Sequence, residues 1–279
     1  RFVAQSVRVP GPEVLSICAA ARDAGTVVSI GISEMSDNSV GCIWNTNLLI
    51  GADGAIINHH RKLVPTFFEK LVWANGDGNG LRVVDTPIGK IGALICGENT
   101  NPLARFSLIA QGEQIHASSY PPTWPTHDPK ANDRYDLASA IRIRAGAHSF
   151  EAKAFNVVAS SLIDQRTLDE LADLGPEALR VISDSPQGLS AIIGPDGLPI
   201  AETQAETDTI LTETIDLEAL VVPKQFHDVV GYYNRFDIFQ LEVNRTERAG
   251  VHFDDGDLAP RGLEFEEMER MMGAEAKTN

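Results

Sequence analysis

The chain has 279 residues, 43% of them hydrophobic and 22% charged. That balance suits a soluble protein with a real core, in one large domain or two small ones, and excludes a disordered chain. A formal net charge of -16 and a pI near 4.8 argue against a nucleic-acid or anionic-membrane surface, because binding phosphates needs clustered Lys and Arg.

Three cysteines, Cys18, Cys42 and Cys96, make an odd count without metal-ligand spacing. Neither a disulfide framework nor a zinc site is indicated, and a reducing cytoplasm is the expected setting. No segment has the length of a bilayer span, and the opening "RFVAQSVRVPGPE" lacks the apolar centre of a signal peptide. Arg1 is not an initiator Met, so residues upstream are expected to be missing.

Residues 12–24 place Val14, Ile17, Cys18 and Ala21 on one helical face, with Pro at the start and Gly25 as a stop signal. "TVVSIGIS", "CIWNTNLLI" and "AIINHHRKLV" predict strands, the last two joined by "GADG" as a tight hairpin. "LRVVDTP" and "KIGALIC" predict a second pair of strands around Gly89. "NPLARFSLIAQG" then switches to helical spacing, with Leu103, Phe106, Ile109 and Ala110 in register and Gly112 at its end. "QIHASSY" reads as a strand, "PPTWPTHDP" as a loop and "DRYDLASAIRIRAGAHSFEAKAF" as a long helix. "NVVASSL", "LSAIIGPDGLPIAET" and "DTILTETIDLEAL" return to strands.

"NLLIGADGAIIN" and "SAIIGPDGLPIA" share an apolar run, G-x-D-G and a second apolar run. The pattern hints at two similar halves, although G-x-D-G is also a common hairpin turn. Strands and helices mix without strict alternation, which predicts an α/β fold with helices covering the outer faces of packed mixed sheets. The main domain is expected over 1–250, followed by an acidic tail, 251–279, that is mobile or an interaction segment.

Cys96 lies between a strand end and a helix start. A thiol there meets the positive end of a helix dipole, which is expected to favour the thiolate and suits a nucleophile. Free cysteines also fill cores, and Cys18 and Cys42 have only that reading. Lys62 stands where a strand gives out into a loop, with Glu69 following, and their value lies in combination with Cys96.

"HRKLVPTFFEKLVW", "GDGNGLRVVDTPIGKIGALICGEN" and "NPLARFSLIAQGEQIHASSYPP" resemble successive signature blocks of the nitrilase branch of the carbon-nitrogen hydrolases, in that family's order and spacing. The resemblance runs from residue 7 to residue 245. It implies that Cys96 is the nucleophile, that Lys62 is catalytic and that Glu69 is a supporting carboxylate. It also implies a four-layer αββα sandwich and a homodimer or larger homo-oligomer. The family's first catalytic Glu, taken as the general base, lies on an N-terminal segment with no counterpart here, as do an opening strand, a first helix and a Gly-Tyr-Pro stretch. Glu13 and Glu34 fall in a different block and do not match it. A chain without that segment is expected to be weakly active or dead. Many nitrilases carry Trp after the Cys, where this chain has Gly97, a departure that bears on pocket shape.

The implied substrate is a small organic nitrile, and the implied products are a carboxylic acid and ammonia. Lys62 and the Gly97 N–H are expected to stabilise charge building on nitrogen, and a thioimidate and then a thioester would form on Cys96. No cofactor or metal is required. His59 and His60 point to opposite faces of a strand and cannot share a metal there. Glu98 and Asn99 read as caps of the following helix, and His116 as a satisfied core histidine. Trp73, Trp124 and Tyr120 are pocket walls or core packing, with Tyr120 taken as substrate-binding. The competing readings are an amidase or carbamoylase with the same residues, and a non-catalytic assembly protein.

Overall fold

A computed structural model describes residues 2–131, 135–204 and 207–247; the acidic stretch 251–279 lies outside them. Alternating apolar residues build the first sheet from Val28–Met35 (β1), Ile43–Ile50 (β2) and Ile56–Arg61 (β3), antiparallel in that order. Successive side chains of a strand point to opposite faces, so Leu48 and Ile50 leave one side of β2 and Leu49 the other. The helix Pro12–Ala24 (α1) starts on Pro12, ends at left-handed Gly25 and covers Leu48 and Ile50 with Val14, Cys18 and Ala21.

Leu49 faces the second sheet, where it packs with Ile91, Ala93 and Ile115. That sheet runs Val84–Thr86 (β4), Gly89–Ile95 (β5), Ile115–Tyr120 (β6), Phe155–Ser160 (β7), Ser190–Ile193 (β8) and Pro199–Thr203 (β9), side by side in chain order. The central β5, β6 and β7 are parallel and the flanking pairs antiparallel. Parallel neighbours require crossovers, supplied by Pro102–Ile109 (α2) and Leu137–Ala152 (α3). Ala104 and Leu108 of α2 pack on Leu94, while Leu137, Ala138, Ile141 and Ala145 of α3 pack with Val158, Ala191 and Ile193. The layers are therefore α1, sheet, sheet, and α2 with α3, the expected αββα sandwich.

Both G-x-D-G segments are hairpin turns of one design. Gly54 and Gly197 sit at φ 83 and 81, and Asp53 and Asp196 accept from the N–H two residues on. A register shift occurs in β2 at Leu49/Ile50 and in β8 at Ile192/Ile193.

Two segments differ from the sequence reading. The strand expected over 208–220 does not form: Ile215 and Leu217 pack against the inter-sheet cluster, but their backbone pairs with no strand among the described residues, and Leu217–Leu220 closes into a 3₁₀ turn. Helices Gln165–Glu170 (α4), Pro176–Asp184 (α5) and Val221–His227 (α6) occupy stretches where none was assigned. Asp164 caps the first through Thr167 N, and Pro176 starts the second. Among the described residues no helix is long and apolar enough to cross a membrane.

Candidate active site

Ile95 and Ser119 are register partners at the ends of parallel β5 and β6, so Cys96 and Tyr120 emerge side by side at the carboxyl edge of the sheet, where open α/β sheets hold their ligands. Cys96 opens a 3₁₀ turn, Cys96–Thr100, and adopts φ 50. A left-handed backbone costs a residue with a Cβ about 1–2 kcal/mol, and such strain concentrates at functional sites.

Lys62 follows β3 in the other sheet. It shares the inner face of that sheet with His60, and its side chain is fully buried. Its Nζ donates to Glu69 Oε2 at 2.5 Å, and the same carboxylate oxygen accepts from Thr66 N at 2.6 Å, capping the turn Phe67–Leu71. Both groups reach the thiol electrostatically. Burial pushes the Cys96 thiol up, Lys62 pulls it down, Glu69 pushes it up, and Arg144 with the Gly97 N–H pull it down. The net direction is upward, which corrects the expectation of a dipole-stabilised thiolate. The helical turn has only five residues, and the loss of water around a residue only 8% exposed outweighs it.

Gly97 lies against Thr66: a Cβ there would meet Thr66 Oγ1 at 2.8 Å. The adjoining cleft, of about 310 Å³, is lined by Leu63, Pro65, Thr66, Phe67 and Gly97. Tyr120 belongs to the same packed cluster as Cys96, with Trp124 and Tyr135 against it. Its buried hydroxyl has no hydrogen-bond partner among the described residues, and burial raises its pKa. Trp73 is placed elsewhere, donating to Ser33 Oγ at 3.0 Å and packing edge-on to Phe2.

Glu98 caps as expected, accepting from Ile95 N at 2.8 Å, but it also accepts from Leu63 N at 2.6 Å and His60 Nε2 at 2.9 Å. Asn99 does not cap. Its Nδ2 donates to the carbonyls of Cys96 and Leu94, and its Oδ1 accepts from His116 Nε2 at 2.9 Å. His116 is the satisfied core histidine expected, with Nδ1 on Glu113 Oε1 at 2.7 Å. His148 of α3, unremarked in the sequence, meets Glu113 Oε2 at 2.6 Å and stacks on His116. Glu113, His116 and His148 thereby bring ligand-type atoms within 4.8 Å of one another, a grouping that sequence spacing did not disclose. The Glu-x-x-His spacing at 113–116 carried a trace of it, and His148, a crossover away, carried none.

Glu34 lies on the outer face of the first sheet, bound by Thr46 Oγ1, His59 Nε2 and Arg61. That is the face opposite Lys62, so the structure agrees that Glu34 is no counterpart of a catalytic base. His59 and His60 part to the two faces, towards Glu34 and Glu98 respectively.

A family model described as "Carbon-nitrogen hydrolase" matches residues 1–222. The chain is 37% identical over 260 residues to "Nitrilase 3" of an unknown prokaryotic organism, covering 90% of this chain and 72% of the relative. It is 35% identical over 249 residues to a nitrilase of Talaromyces marneffei, covering 88% and 76%. Among solved structures, Saccharomyces cerevisiae Nit3, a member of branch 10 of the nitrilase superfamily, superposes with TM-score 0.62 at 19% identity, covering 80% of this chain and 73% of that one.

Proposed function

The chain belongs to the carbon-nitrogen hydrolase family, and from that premise we propose that it hydrolyses an organic nitrile to the carboxylic acid and ammonia, with Cys96 as nucleophile. The observation that carries the reading is the meeting of Cys96 with the buried Lys62–Glu69 pair at the carboxyl ends of the strands. The names of the relatives favour nitriles over other carbon-nitrogen bonds.

Sγ attacks the nitrile carbon, and its proton passes to the nitrile nitrogen, giving a thioimidate. The Lys62 ammonium, held by Glu69, faces the charge that builds during attack, and the Gly97 N–H, directed at the sulfur, stabilises the thiolate on the way. Water adds to the thioimidate, ammonia leaves, and a second water releases the acid from the resulting thioester. Glu69, whose charge the thiol also feels, acts as the supporting carboxylate that holds Lys62 in place.

The test is ammonia release from aliphatic, aryl and arylacetonitriles beside the matching amides, for the native chain and C96A. Nitrile turnover that disappears in C96A supports the reading. Release from amides alone makes the enzyme an amidase, and turnover that survives in C96A removes Cys96 from the chemistry.

A further inference from the structure

We propose that Glu98 is a positioning residue that fixes the spacing between Cys96 and Lys62. The inference rests on the reading of those two residues as nucleophile and cation.

Cys96 and Lys62 come from different sheets, and no backbone pairing joins β3 to β5. Each is anchored within its own layer. Lys62 N donates to Asn45 O of β2, and the Cys96 carbonyl is held by Asn99 of its own turn. Glu98 crosses the gap. Its Oε1 takes the N–H of Leu63, the residue after Lys62, and its Oε2 takes the N–H of Ile95, the residue before Cys96. His60 Nε2, two residues before Lys62, completes the grip. One carboxylate thus brackets the lysine on both sides and ties it to the approach to the thiol.

The chemistry of the side chain matters as well as its reach. An ionised carboxylate only accepts, and three N–H donors converge on it at 2.6, 2.8 and 2.9 Å. The group is buried, 6% exposed, and hydrogen bonds to a charged acceptor are shorter and roughly twice as strong as neutral ones. Glutamine has the same shape but one acceptor oxygen and an amide donor, so one of the three N–H groups would face another donor. The contact that fails lets the two layers part, and the attraction between Lys62 and the sulfur weakens as they do.

The test follows the pH dependence of iodoacetamide alkylation of Cys96 by peptide mass spectrometry, with Cys18 and Cys42 as internal references, in the native chain, K62M, E98Q and E98D. K62M removes the cation and defines the full upward displacement of the thiol titration. E98Q is expected to move in the same direction, with alkylation at fixed pH falling about 10-fold and kcat falling at least about 10-fold, while KM stays within about 2-fold and the circular dichroism is unchanged. E98D should be intermediate. If E98Q does not fold, H60Q, which removes only the imidazole arm, is expected to show a smaller displacement of the same sign. An E98Q or H60Q thiol that titrates as in the native chain overturns the proposal, as does an equal displacement at Cys42. Should K62M leave the Cys96 titration unmoved, the reading of Lys62 as the partner of the thiol falls, and this inference falls with it. A K62M that responds beside an E98Q that does not sinks the inference alone.

Discussion

Replacing Glu34 with Gln tests how the outer face of the first sheet holds the strand that delivers Lys62. Burial alone would raise the Glu34 carboxyl, but hydrogen bonds from His59, Arg61 and Thr46, with the charge of His59, hold it down to about 2 from the ordinary 4.5. The side chain is 2% exposed, so solvent does little to screen those partners. Each tenfold gain in acidity corresponds to about 1.4 kcal/mol, so the ionised carboxylate contributes about 3 kcal/mol. A carboxyl more acidic in the folded chain than in the unfolded one stabilises in full above pH 4.5, and the contribution is lost as the pH falls towards 2. E34Q should therefore unfold in urea with about 3 kcal/mol less stability than the native chain at pH 7, and the gap should narrow below pH 4.5. Tryptophan fluorescence at matched pH values reads the difference, in which acid effects common to both proteins cancel. A gap constant between pH 7 and pH 3 would refute the reasoning, and so would one below about 1 kcal/mol at pH 7.

Other residues give sharper local tests. G97A places a Cβ 2.8 Å from Thr66 Oγ1, so turnover should fall and the double variant G97A/T66A should recover part of it; purely additive losses in the double-mutant cycle would count against the clash. Y120F deletes a hydroxyl that has no partner among the described residues, so the thermal midpoint should hold or rise, and a loss above about 1 kcal/mol would mean that the hydroxyl is bonded after all. Burial, with the charge of His116, holds the His148 ring down to about 4 from 6.5, so the unfolded chain takes up more protons there and stability should decline as the pH falls from 6.5 to about 4. H148Q should flatten that part of the acid-denaturation curve, and an unchanged slope would remove His148 from the acid response.

The strand-to-helix junction at Cys96 was legible in the sequence because its signal is local, an apolar strand, a cysteine and a helix start within 91–109, while the role expected of the thiol came from the resemblance of its block. Lys62 and Glu69, seven residues apart, were legible through the resemblance of their block. The α/β layering followed from strand and helix runs that mix without strict alternation. The protonation of Cys96 was misjudged because dipole position can be read from order along the chain, whereas the desolvation that outweighs it depends on the layers that close over the sulfur. Glu98 looked like a cap because one of its bonds is a cap; the other two reach residues 35 and 38 positions away. The segment 208–220 alternates like a strand, yet alternation specifies only a face to bury, and its backbone pairs with no strand among the described residues. The short α4 and α5 depend on Asp164 and Pro176 for their starts and bury no residue completely, which leaves little periodic apolar signal.

The contacts of His116 amount to a proton inventory. One ring nitrogen faces Glu113 and the other faces Asn99 Oδ1, and the orientation of Asn99 is set by the two carbonyls its amide serves. Both ring nitrogens therefore lie against oxygen atoms, and the centre of the second sheet clamps this imidazole between a carboxylate and an amide. His148 meets the same carboxylate through Nε2, and its Nδ1 has no hydrogen-bond partner among the described residues. A divalent ion at this trio would displace the hydrogen bonds that hold it together, and the backbone of Cys96, hung from Asn99, would register the exchange.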